Sequence, residues 1–159
     1  MFKLSKEPID PQALKANFLD AHAGAFVVFE GWVRDHHEDK KVAALDYESY
    51  EDLAYKEAEK ILSETRKQFA VINFLCVHRV GKLSVGDTAV WVGVTAVHRE
   101  QAFAACRYLI DEIKKRVPIW KKEYYENGTS NWVNCEGCSP SAHGHLKENH
   151  SDVERASLK

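Results

Sequence analysis

The chain has 159 residues, 45% of them apolar, which suits one compact domain able to bury a core without disulfide or metal support. With 22 basic against 24 acidic side chains the formal charge is -2, so nothing global favours nucleic acid or an anionic membrane, and any cationic site must be local. No apolar run approaches the roughly 20 residues that span a bilayer, and the start Met1-Phe2-Lys3-Leu4-Ser5-Lys6-Glu7-Pro8 lacks the apolar core of a signal peptide, so a cytoplasmic protein is expected.

Asp10-Pro11, followed by Ala13, Leu14, Phe18 and Leu19, combines an N-cap, a proline in the first turn and helical apolar spacing. It predicts a short opening helix, with Gly24 ending the connection after it. Residues 25–34 (AFVVFEGWVR) are β-branched and aromatic on both faces, the composition of a strand inside a sheet. A polar loop over 35–41 leads to a second strand near 42–50. A helix follows from about 52 to 69, carrying Leu53, Ala54, Ala58, Ile61, Leu62 and Thr65.

Residues 71–80 and 88–97 are β-rich. The two glycines and the Gly-Asp step between them suit a hairpin-type connection and antiparallel pairing. From Arg99, the spacing of Ala102, Phe103, Cys106, Leu109, Ile110, Ile113 and Val117 predicts an amphipathic helix that Pro118 ends. Short strands over 119–123 and 132–134 complete one domain over residues 1–134, and no internal repeat is present.

Cys76 and Cys106 lie in apolar periodic segments and read as buried thiols. Residues 135–159 form a polar tail with almost nothing apolar to order it, so mobility is expected. Within it, Cys135-x-x-Cys138 with His143 and His145 has donor types and spacings that can bind zinc, His150 being a further, weaker donor. Adventitious metal binding by a solvated His-rich tail is the alternative.

The candidate chemistry is cationic. In the helix after Val97, Lys115 falls on the solvated face while Lys114 sits at the edge of the apolar stripe. There a lysine is either partly desolvated, with a lowered pKa suited to proton transfer, or snorkels over apolar surface. His98-Arg99 opens the same helix with no Ser, Thr, Asp or Asn at the cap. Free backbone N–H groups beside a histidine and an arginine suit a phosphate, the alternative being a frayed helix start. Arg34 and Lys121 each emerge beside bulky apolar residues. These five residues come from three separate segments, and spacing alone does not bring them together.

The segments GAFVVFEGWVRDH, ALDYESYEDLA, VHRVGKLSVGDTAVWVGVTAVHREQAF and IDEIKKRVPIWKKE resemble the large-subunit family of molybdopterin synthase from about residue 3 to about residue 134. The resemblance implies an α+β fold of α/β hammerhead type, with mainly antiparallel sheet and flanking helices. It implies a homodimer with a small ubiquitin-like sulfur-carrier subunit docked on each copy, a heterotetramer in all. The small subunit's Gly-Gly thiocarboxylate would thread into a pocket beside cyclic pyranopterin monophosphate and deliver sulfur twice to build the dithiolene. Matched motif by motif, Lys114 and Lys121 fall on catalytic positions. Trp32, Val33, Arg34, His98, Arg99, Lys122 and Glu123 fall, with those lysines, on substrate-binding ones. No cofactor is required, because the small subunit brings the sulfur. Two other classes compete: a phosphate- or nucleotide-binding module without chemistry, and a zinc hydrolase built on the C-terminal Cys/His set.

Overall fold

The computed structural model describes residues 1–133, so Cys135, Cys138, His143, His145 and His150 lie outside the described residues. The elements are β1 (Phe2–Ser5), α1 (Pro11–Lys15) continued by a 3-10 turn (Ala16–Phe18), β2 (Ala25–Trp32), β3 (His36–His37), β4 (Lys40–Ser49), α2 (Glu51–Gln68), β5 (Val71–Arg79), β6 (Gly81–Ser84), β7 (Thr88–Ala96), α3 (Arg99–Arg116), β8 (Ile119–Tyr125) and β9 (Ser130–Val133). The architecture is α+β. Every strand pair is antiparallel except β1 with β5.

One sheet has the order β1-β5-β7-β2. Strand alternation sends Val90, Val92, Val94 and Ala96 of β7 and Phe74 and Cys76 of β5 to the face covered by α2 and α3. The helices meet it through Ala54, Ala58, Ala102 and Ala105, all fully buried, whose small side chains permit close approach, and through Ile61, Leu109 and Ile113. On the opposite face Trp91 packs with Phe18, Leu75 and Val77. Its ring lies over Gly93, where any side chain would collide with it.

The second sheet runs β3-β4-β8-β9, with β6 also pairing β4. Its own small core holds Val33, Val42, Leu45, Leu83, Ala89 and Tyr125.

Several sequence expectations require correction. β1 was not anticipated, although Phe2 reaches the main core and Leu4 packs against it. The short opening helix, by contrast, forms as expected, one α-turn before the 3-10 turn, with Pro11 in its first turn and Asp10 as its cap, whose carboxylate accepts from the amides of Gln12 and Ala13. β2 lies at a sheet edge, not inside; its two apolar faces serve two different cores, Val27 and Phe29 against α3's side and Phe26 beside Trp91. The connection between β5 and β7 is no simple hairpin: Gly81 and Gly86, both at positive φ, let the chain leave the first sheet, place Leu83 in the small core and pair β6 with β4. The expected polar loop contains β3, turned onto β4 through Glu38 at positive φ.

α2 and α3 are locked by Arg116, which bonds Glu57 (2.6 Å), Glu64 (2.6 Å) and Glu112 (3.1 Å), while the Tyr108 hydroxyl donates to Glu64. The hydrogen bonds from Arg116 and Tyr108 hold the Glu64 carboxyl down to about 2. Replacing Arg116 by Met leaves three carboxylates facing one another. It is expected to cost about 1–3 kcal/mol at pH 7, several degrees of Tm, between the values of exposed and buried pairs. Glu64's folded-state pKa is depressed from 4.5, so its contribution is complete above pH 4.5 and fades as pH falls toward 2. Thermal unfolding at pH 7 and pH 3 should therefore show a gap between wild type and Arg116→Met that narrows in acid; equal stabilities at pH 7 would rule the lock out.

Candidate active site

The two sheets and the C-terminal turn of α3 enclose a cavity of about 700 Å³. Residues 121, 123 and 125 share one face of β8, so Lys121 and Glu123 both line it. The Glu123 side chain is 3% exposed, and its carboxylate takes three donors. Lys121 Nζ lies 2.7 Å from Oε1; His37 Nδ1 at 2.8 Å and the Tyr125 hydroxyl at 2.9 Å share Oε2. Burial alone would raise this carboxyl, but the hydrogen bonds from Lys121 and Tyr125 and the charges of Lys121 and His37 outweigh it, leaving the carboxyl below its ordinary value. Lys121, with a side chain only 16% exposed, is thereby held in one place.

His37 sits in β3, so its bond to Glu123 also ties down the segment that carries Arg34, another lining residue. The same segment is pinned at Asp35, whose carbonyl accepts from the Val42 amide at 2.8 Å. Trp32 lines the cavity from the end of β2, its indole N–H donating to Glu30 at 3.1 Å. Lys114 lines it from the last turn of α3. The expected contrast in burial between Lys114 and Lys115 is absent: both are exposed, since at this helix end only Ile113 and Val117 turn into the core, and what distinguishes Lys114 is that it lines the cavity.

His78, at the end of β5, closes the inner wall. It is 6% exposed, its Nδ1 lies 2.7 Å from the Arg79 carbonyl, and its ring meets Tyr47 edge-on at 5.0 Å between centroids. Burial, aided by the charge of Lys114, holds the imidazole down to about 4 against the backbone hydrogen bond, so the ring is neutral at pH 7.

Within one chain the five flagged cations divide. Arg34, Lys114 and Lys121 share the cavity; His98 and Arg99 do not line it. His98 is the N-cap of α3, with extended backbone and no side-chain cap, and both residues are exposed. At about 1.5 Å per residue the helix sets Arg99 roughly 22 Å from the level of Lys114. Two other candidates also lie elsewhere. Val33 is buried in the small core with its amide and carbonyl bonded to Asp87 and Gly86. Lys122 alternates to the other face of β8, where its ammonium stands over the rings of Tyr124 and Trp132. Sequence reasoning missed His37, His78 and Tyr47. His37 was hidden in a polar run, and His78 lies inside the quoted VHRVG segment without any local signal of burial.

The family model described as MoaE protein matches residues 4–116, a span that includes Arg34, His98, Arg99 and Lys114 and stops before Lys121 and Glu123. The chain is 42% identical over 127 residues to the molybdopterin synthase catalytic subunit of Pyrococcus abyssi, covering 79% of this chain and 86% of that one. It is 38% identical over 141 residues to that of a Nostoc species, covering 88% and 86%. Its fold superposes on the crystal structure of molybdopterin synthase from Staphylococcus aureus with a TM-score of 0.76, at 38% identity over 83% of this chain and 96% of the other. A MoaE protein from Burkholderia ambifaria gives 0.73 at 33% identity, covering 87% and 92%.

The neutral His78 makes stability pH-dependent. Its folded-state pKa is depressed from 6.5 to about 4, so the stability it confers is complete above pH 6.5 and drains away as pH falls from 6.5 to 4, by on the order of 3 kcal/mol. Urea unfolding at pH 7.5 and 4.5 should show wild type losing more stability than His78→Gln, which has nothing to protonate. Parallel losses in the two proteins would mean that the imidazole titrates normally.

Proposed function

We propose how the cavity works from the premise that this chain belongs to the MoaE family of molybdopterin synthase catalytic subunits. Membership makes it an enzyme of molybdenum cofactor biosynthesis that transfers sulfur. In our reading the cavity takes cyclic pyranopterin monophosphate together with the C-terminal thiocarboxylate of a small ubiquitin-like subunit. The carrying observation is that Arg34, Lys114 and Lys121 converge on one pocket in a chain of net charge -2. A volume near 700 Å³ is ample for a pterin beside an extended Gly-Gly tail.

In each transfer the thiocarboxylate sulfur forms a carbon–sulfur bond on the pterin side chain as a carbon–oxygen bond there breaks, and water then attacks the carbonyl of the resulting thioester, cleaving its acyl–sulfur bond and freeing the small subunit as a carboxylate. Negative charge develops at the attacked carbonyl and on the departing oxygen. Lys121, immobilised on Glu123, supplies fixed positive charge for it without reorganising, and Arg34, on the segment tied down by His37, adds a second cation. Lys114 is the proton donor to the departing oxygen. A resident metal or nucleophilic cysteine is unnecessary because the sulfur arrives on the partner. In keeping with this, burial pushes the Cys76 thiol up, and burial also raises Cys106, to about 11, so neither is a ready thiolate. The zinc set at Cys135, Cys138, His143 and His145 is, in this reading, separate from the chemistry. Free, buried thiols at Cys76 and Cys106 suit a reducing cytoplasm, where we place the enzyme.

His98 and Arg99 enter through a second copy. A helix cannot bring its own N-terminus back to its C-terminal turn, so a homodimer that sets one protomer's His98-Arg99 against its partner's cavity lets an uncapped helix start bind the substrate phosphate. With one small subunit on each copy, the assembly is a heterotetramer.

Two measurements test this reading. Purified chain, thiocarboxylated small subunit and cyclic pyranopterin monophosphate should yield dithiolene-bearing pterin. Lys114→Ala should lower the rate by about two to four orders of magnitude while still binding the small subunit. A complex that forms without product from wild type would leave only a binding module. For the shared site, Lys114→Ala and Arg99→Ala proteins, each nearly inactive, should recover about a quarter of wild-type activity when dissociated and mixed, since half the dimers then carry one intact site. No recovery after verified exchange would place Arg99 in its own protomer's site or outside catalysis.

A further inference from the structure

The cavity is rich in donors and poor in acceptors. Arg34, Lys114 and Lys121 can only donate and the Glu123 carboxylate already serves three donors, so the side-chain acceptors left include the exposed Glu38 and His36 and, on the buried inner wall, His78. A heterocycle bound here presents N–H groups as well as anionic oxygens, and each N–H taken out of water needs an acceptor.

His78 has the form of that acceptor. A carbonyl oxygen can only accept, so the 2.7 Å contact with the Arg79 carbonyl places the proton on Nδ1. In the neutral ring, which burial enforces, Nε2 then carries a lone pair. The edge contact with Tyr47 and the backbone bond leave the ring little freedom to turn. Its position is also a poor place for an imidazole on packing grounds alone. Phe74 and Cys76, which precede it on the same strand face, join the apolar core, and a residue of their kind would avoid the cost of burying a polar ring.

We infer that His78 is a further substrate-binding residue, its Nε2 accepting a hydrogen bond from a ring N–H or amino group of the pterin and so fixing the heterocycle's orientation beside Lys114. The inference rests on the proposed function and adds to it the recognition of the heterocycle, which the cations cannot provide. Lys114 and Arg34 attract any phosphorylated ligand; an acceptor in a fixed tautomer selects one with a donor edge.

The test combines kinetics with histidine-labelled NMR on the full chain. His78→Phe keeps the ring volume and the contact with Tyr47 but has no acceptor. It is expected to raise KM for cyclic pyranopterin monophosphate about ten- to hundredfold with kcat within about threefold, as loss of one buried acceptor implies. His78→Gln, which returns an oxygen near the Nε2 position, should restore most of the loss. In wild type, with small subunit lacking the thiocarboxylate so that no turnover occurs, the Nε2 resonance of His78 should be that of an unprotonated nitrogen. It should move on saturation with the pterin and stay in place with inorganic phosphate. An unchanged KM in folded His78→Phe, or an Nε2 resonance that ignores the pterin, overturns the inference. If His78→Phe fails to fold, the wild-type titration alone decides. Absence of product from wild type would overturn the sulfur-transfer reading instead, and the pterin titration would still report on His78.

Discussion

The β8 side of the cavity hangs on the carboxylate of Glu123. A buried carboxylate is costly unless its lone pairs are filled, and here they are filled by groups from three directions: an ammonium and a hydroxyl from its own strand, β8, and an imidazole from β3. The price of burial is offset only in this one geometry. The ion cluster therefore fixes Lys121 directly and, through His37, draws the segment holding Arg34 against β8. A single satisfied anion thus sets the relative positions of two cations that approach the cavity from different parts of the chain.

The helix α3 works in the opposite sense, by separating groups. Its middle is spent on packing, with Ala102, Ala105, Cys106, Leu109, Ile110 and Ile113 all facing the sheet. Its ends are left for other tasks: Lys114 at the cavity, and the uncapped His98-Arg99 start far away on the exposed side. The Arg116 lock beside Lys114 holds α3 to α2 without touching the cavity, so the helix end that presents the lysine is anchored by residues that take no part in the site.

Much of the fold was legible because it follows from periodicity. Both long helices, the strands β2, β4, β5 and β7, the antiparallel pairing of β5 with β7 and the stop at Pro118 come from local patterns of apolar spacing, glycine and proline. What escaped was non-local. β1 pairs in parallel with β5, more than 70 residues away in sequence, and four residues carry too little pattern to announce that. β6 looked like a turn because Gly81 within it and Gly86 just after it are turn residues; its strand identity comes from β4, which it meets only in three dimensions.

For the candidate site, residue types in the sequence determined that its side chains are largely cationic, that Lys114 belongs to a helix end and Lys121 to a short strand, and that His98-Arg99 begins a helix without a cap. Only the tertiary structure decided which of these share a cavity. It kept Arg34, Lys114 and Lys121, turned Lys122 to the other face of β8, sank Val33 into the small core and left His98-Arg99 at the far end of α3. It also supplied His37, which meets a carboxylate 86 residues away, and His78, whose neutral ring is set by burial beside Tyr47. The physical reason is the same in each case. Helix and strand periods are encoded within a few residues, whereas burial, charge pairing and the protonation of an imidazole depend on neighbours that the linear chain does not place side by side.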